Sequence, residues 1–169
     1  AQQPRFSAMH TLSQLMSTSI GQVRHWADVP ILRAAGFHVV TAPRYELLFR
    51  MLLAGRFDCF SRGIAEAYAE HAERHLISPS PSVETDLMLV YPQVELFFTK
   101  PNDTELAPRL ALGLEKTLED GSFEALFTNH PAVKPALDHL RASRRRVFRI
   151  DNPDMSAETR GLARRYWLD

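Results

Sequence analysis

Between Thr18 and about Lys100 the sequence alternates short β-branched or aromatic runs with helix-patterned segments that stop at glycine. This alternation restricts the fold more than any other feature. Strand–helix–strand units of this size assemble as parallel strands joined by right-handed crossovers, with helices covering the sheet. Thr18-Ser19-Ile20-Gly21-Gln22-Val23 reads as a first strand ending in a turn. Asp28 is placed to cap a helix that has Pro30 in its first turn, Ile31, Leu32 and Ala35 on its apolar face, and Gly36 at its end. Phe37 to Val40 forms the second strand, Tyr45 to Gly55 the second glycine-closed helix, Phe57-Asp58-Cys59-Phe60 the third strand, and Ile64 to His75 the third helix.

Outside this unit the pattern changes. Ser7 to Ser17 has Met9, Leu12, Leu15 and Met16 at helix-like spacing, which predicts a short amphipathic helix. Ser78-Pro79-Ser80-Pro81-Ser82 reads as an exposed loop, followed by two extended runs, Asp86 to Tyr91 and Glu95 to Thr99. Beyond Lys100-Pro101-Asn102-Asp103 the chain turns helical over Glu105 to Glu119, around Phe123 to Phe127, and over Ala132 to Ser143. Arg146 to Ile150 is predicted as a last strand and Ala157 to Leu168 as a terminal helix. The expected organisation is therefore an α/β domain over residues 18–100 and a helical segment over residues 101–169.

Bulk properties narrow the classes further. The 20 basic and 20 acidic residues cancel, so no overall charge draws the chain to nucleic acid or an anionic membrane. Apolar stretches are interrupted by charge well short of the ~20 residues a membrane-spanning helix needs. Ala1-Gln2-Gln3-Pro4-Arg5 has no apolar core of a signal peptide. The single cysteine, Cys59, has no internal partner for a disulfide.

Three local patterns occur in order. Ile20-Gly21-Gln22-Val23-Arg24-His25-Trp26 runs from a strand into a turn; Leu52-Leu53-Ala54-Gly55-Arg56-Phe57-Asp58 leads from a helix to the next strand; Glu119-Asp120-Gly121-Ser122-Phe123-Glu124-Ala125-Leu126-Phe127 follows a later helix. Together, over roughly Thr18 to His130, they resemble the second lobe of the type 2 periplasmic solute-binding proteins that serve amino-acid ABC transporters. The resemblance implies a mostly parallel sheet, a periplasmic home, and a non-enzymatic function in binding a small-molecule solute without a cofactor. It also implies a missing first lobe, to which residues 101–169 would return, and hence a fragment with exposed apolar surface and a tendency to form a homodimer.

The candidate ligand residues lie where parallel sheets place them, beyond the carboxyl ends of strands. The turn after the first strand holds Gln22, Arg24, His25 and Trp26, with Trp26 as a stacking surface and free backbone N–H groups at a helix start favouring an anion. Trp26 packing under the helix and a solvated Arg24 is the plain alternative. The second candidate is Ser61-Arg62. By the resemblance, an acidic residue that holds a substrate ammonium belongs at Gly63, and none is there. Arg62 is thus expected to contact an anionic solute, or else to pair with Glu66 four residues on, for a few tenths of a kcal/mol. Asp58 and Glu46 are expected to be structural.

Other patterns carry less. His71 and His75 share a helical face at i, i+4, but no third metal ligand is placed and no metal is expected. No nucleophile elbow, phosphate loop or dinucleotide motif is present. The basic run Arg141-Ala142-Ser143-Arg144-Arg145-Arg146-Val147-Phe148-Arg149 follows a helix, where cations are favoured, so no nucleic-acid partner is expected. The leading expectation is a solute-binding domain of an ABC-type importer or a sensor receptor, for an anionic or amino-acid-like solute. The alternatives are the effector domain of a LysR-type regulator and an enzyme lobe of the transferase or lytic transglycosylase kind. An upstream signal peptide would favour the first and an upstream helix-turn-helix the second.

Overall fold

The computed structural model describes residues 3–74 and 81–167. Two short helices, α1 (Gln3–Ser7) and α2 (Leu12–Met16), precede strand β1 (Ser19–Val23), helix α3 (Asp28–Ala34), strand β2 (His38–Ala42), helix α4 (Tyr45–Leu53) and strand β3 (Cys59–Phe60). Then come α5 (Ile64–Arg74), β4 (Leu87–Val90), α6 (Leu106–Glu119), α7 (Ser122–Asn129), α8 (Lys134–Ala142), β5 (Arg146–Arg149) and α9 (Ala157–Arg160), followed by a 3-10 turn at Arg164–Tyr166. The protein is a mixed α/β fold whose strand pairings are parallel. β1 lies between β2 and β3, with Ser19 opposite His38 and Ile20 opposite Cys59. β4 and β5 form a second pair, with Leu87 opposite Arg146.

Glycine ends the first two crossover helices as expected. Gly36 has φ +93° and Gly55 φ +65°, backbone that costs other residues strain. After α3, Phe37 N–H reaches back to Leu32 O at 3.0 Å and Gly36 N–H to Arg33 O at 2.9 Å; after α4, Arg56 N–H reaches Met51 O at 2.9 Å. These bonds satisfy carbonyls that the helix leaves open and aim the chain into the following strand. Gly21 meets a different demand. The Phe57 ring lies against its Cα, and a Cβ there would come within 2.3 Å of the ring.

The period-two alternation of β1 splits the core between the two faces of the sheet. Ile20 and Val39 pack with Leu15 of α2, Leu32 of α3, and Leu87 and Phe148 of the second strand pair. Val23, Ala42 and Phe57 pack on the other face with Leu48 of α4. Leu32 and Leu48 are wholly buried, each contributing about 1.5–3 kcal/mol by removal from water. β5 lies beyond the composition change at Lys100, yet its Phe148 belongs to the same core as Ile20.

Three expectations need correction. Asp28 does not cap α3: Ala27 is the N-cap residue and makes no side-chain cap bond, while the Asp28 carboxylate accepts the Tyr91 hydroxyl. Glu95 to Thr99 is not a strand. Its Leu96, Phe97 and Phe98 are 60%, 71% and 89% exposed, and no strand among the described residues pairs with them. Ala157 to Leu168 is not one helix. α9 stops at Gly161, and the Arg160 guanidinium folds back onto the Asp151 carboxylate and the Asn152 carbonyl. His75, Ser78, Pro79, Ser80 and Leu168 lie outside the described residues.

Candidate functional site

At the amino edge of the three-stranded sheet, Asp58 braces β1. Its Oδ2 accepts from the Ser19 N–H and Oγ–H, both at 2.8 Å, and its Oδ1 accepts from Arg5 at 2.7 Å. Burial raises the Asp58 pKa, but the Ser19 bonds and the Arg5 charge outweigh it and hold the carboxyl below its ordinary value. This is the structural role expected of Asp58.

The carboxyl edge differs. Ser61 and Arg62 follow directly on β3, and Trp26 closes the turn after β1 through its N–H to Val23 O at 3.0 Å. Tyr45 is the first residue of α4. These elements bring three rings around one cation. The Arg62 guanidinium carbon lies 4.6 Å from the Trp26 ring centroid, 5.5 Å from that of Tyr45 and 5.8 Å from that of Phe60. Each distance is within the range at which the face of an aromatic ring attracts a cation. Phe49 supports the cage from behind, its ring edge-on to Tyr45 at 5.2 Å and to Phe60 at 5.1 Å.

Two carboxylates hold the same guanidinium. Nε and Nη2 of Arg62 donate to one oxygen of Glu70 at 2.9 and 2.6 Å, and Nη2 also lies 2.9 Å from Glu66. Burial alone would lower the Arg62 pKa; the Glu70 hydrogen bond and the charges of Glu70 and Glu66 reverse this and raise it. Arg62 and Glu70 side chains are 16% and 15% exposed, whereas Glu66 is 52% exposed and reaches solvent. The other Glu66 oxygen accepts the Gly63 N–H at 3.0 Å, at the start of α5. One guanidinium facing two carboxylates leaves the group with an excess negative charge.

Gln22 adjoins this cluster. It is wholly buried, and its Nε2 donates to the Ser61 carbonyl and hydroxyl oxygens. Its Oε1 is buried with no hydrogen-bond partner among the described residues. Buried polar atoms are rarely left so, and an unmet acceptor costs about 1–3 kcal/mol. On the neighbouring strand pair, Tyr91 follows β4 and donates its hydroxyl to Asp28. Burial, reinforced by Asp28, raises the Tyr91 pKa and keeps the phenol protonated.

Of the six residues singled out in the sequence, Gln22, Trp26, Ser61 and Arg62 come together. Arg24 and His25 do not: both side chains are exposed and make no hydrogen bond or ion pair among the described residues. Arg62 does pair with Glu66, and its closer partner, Glu70, was not anticipated. Glu66 and Glu70 stand four apart on one face of α5, and Arg62 precedes that helix; the four-residue step from Arg62 to Glu66 was the available signal. Tyr45 and Phe60 were missed because only the fold brings them near Trp26. Of the basic run, Arg145 bonds to the Glu84 and Leu87 carbonyls and Arg146 to the Met9 carbonyl, so part of it serves structure. No cluster of three metal-ligating side chains occurs among the described residues. No family model, curated protein or solved structure matches this chain.

Proposed function

We propose that this chain is a non-enzymatic solute-binding lobe of the type 2 periplasmic kind, serving an ABC-type importer or a sensor receptor. The observation that carries the reading is the convergence of Gln22, Trp26, Ser61 and Arg62 at the carboxyl edge of a parallel sheet. That is where open α/β folds bind ligands. The charge at this edge refines the solute class. Arg62 is committed to Glu66 and Glu70, which removes the main support for a purely anionic solute. The residual negative charge, with half-exposed Glu66 at its rim, suits an amino-acid-like solute carrying a cationic group. Gln22, through its Nε2 bonds to Ser61, holds the residue that precedes Arg62 in place.

A thermal-shift screen against amino acids, polyamines, organic acids and oxyanions tests the reading. Solutes with an amino or guanidino group are expected to raise the melting temperature of the wild type. Glu66→Gln and Gln22→Leu are each expected to weaken that response. Stabilisation by organic acids or oxyanions alone, or a response indifferent to both substitutions, overturns the reading.

A further inference from the structure

The cage around Arg62 is built like a receptor for a cation, and the cation in it belongs to the protein. Trp26, Tyr45 and Phe60 present three rings within 4.6–5.8 Å of one guanidinium carbon. Glu70 takes two of its N–H donors and Glu66 approaches the same nitrogen. Aromatic faces combined with carboxylates recognise quaternary ammonium and guanidinium groups generally, since the rings stabilise diffuse positive charge and the carboxylates add direction.

Three features argue that Arg62 is a displaceable occupant. First, the cage keeps two carboxylates for one cation, so the arginine does not neutralise it. Second, Arg62 Nη1 forms no hydrogen bond among the described residues, so part of the guanidinium's donor capacity is unused. Third, the Glu66 side chain is 52% exposed, so one side of the cage opens to solvent, from which a competing cation can enter. We propose that the Trp26–Tyr45–Phe60 cage, with Glu66 and Glu70, binds the guanidinium or alkylammonium end of the solute, and that Arg62 is an internal plug which the solute displaces. This rests on the carboxyl edge being the solute site and adds the solute's head group and a gating residue. A plug weakens apparent affinity by the fraction of time it fills the site, and only cations able to use the same rings and carboxylates can compete with it.

The test uses two small cations and needs no natural solute. Wild type and Arg62→Met, which keeps an unbranched stem and removes the charge, are titrated with ethylguanidinium and tetramethylammonium. Acetate at equal ionic strength is the control. A Trp167→Phe background leaves Trp26 as the only tryptophan, and its fluorescence reports binding. Arg62→Met is expected to bind both cations at least about tenfold more tightly than the wild type, and Tyr45→Leu to abolish the gain. Equal cation affinity in the two proteins, or acetate binding lost in Arg62→Met, overturns the proposal. Should Arg62→Met fail to fold by circular dichroism, the wild-type Arg62 Nε–H resonance decides. Saturating ethylguanidinium is expected to move it to the solvent-exposed position, and an unmoved signal contradicts displacement. A natural solute that binds wild type and Arg62→Met alike would overturn the plug and leave the solute-binding reading standing. A screen without edge-dependent solutes would remove that reading, while the cation titrations would still decide the plug.

Discussion

At the scale of single residues, the fate of Arg62 shows how position and partner separate. The sequence places Arg62 at the end of the third strand, and the structure keeps it there. What it does is set by Glu70, eight residues on, and by rings from two other elements. Strand order makes the carboxyl edge legible, while a side chain's partner depends on rotamers and packing that no local spacing encodes. Gln22 and Ser61 were legible for the same reason as Arg62, since both stand at strand ends. Arg24 and His25 are exposed, as the solvated alternative for Arg24 had it, because a turn residue next to a strand end can face either the edge or solvent. Glu70→Gln is expected to destabilise the fold by roughly 1–2 kcal/mol, below the cost of breaking a fully buried pair, because Glu66 still faces the guanidinium. Chemical denaturation of the two proteins checks this; a change under about 0.3 kcal/mol would mean the pair is solvated and the cage loose.

At the scale of elements, helix ends and strand starts were the most readable features. Gly36 and Gly55 close helices where expected because only positive φ turns the chain straight into the next strand. The Glu95–Thr99 run misled because apolar composition favours a strand only when another strand lies beside it. Gly21 looked like part of a motif, and the structure supplies its cause in the Phe57 ring against its Cα. Gly21→Ala is therefore expected to cost about 1–3 kcal/mol through overpacking, read as a lower midpoint in urea. Asp58 adds a pH dependence to the β1–β3 junction. Its folded-state pKa is held below the ordinary value, so its contribution is present above the unfolded carboxyl's pKa and lost as pH falls through the folded one. Asp58→Asn is expected to flatten the stability profile on the acid side, with little change in slope above pH ~6; an unchanged acid limb would show that Asp58 is not the sensitive group.

At the scale of the whole molecule, the apolar run around Phe97 stays open. Residues 93–99 lie between Pro92 and Lys100-Pro101, and no backbone hydrogen bond engages them among the described residues. An antiparallel pairing with a second copy about a twofold axis at Phe97 would set Leu96 opposite Phe98 and Glu95 opposite Thr99, with no like charges facing. We therefore expect a homodimer through this run, and Phe98→Glu to convert it to a monomer; sedimentation of wild-type protein as a monomer would remove this expectation. The proposed solute binding is placed at the carboxyl edge. Its most direct test is calorimetric titration of the strongest solute from the screen into wild type and Glu66→Gln. The solute is expected to carry a cationic group, and its affinity to fall at least about tenfold in Glu66→Gln. Equal affinity in both proteins would contradict it.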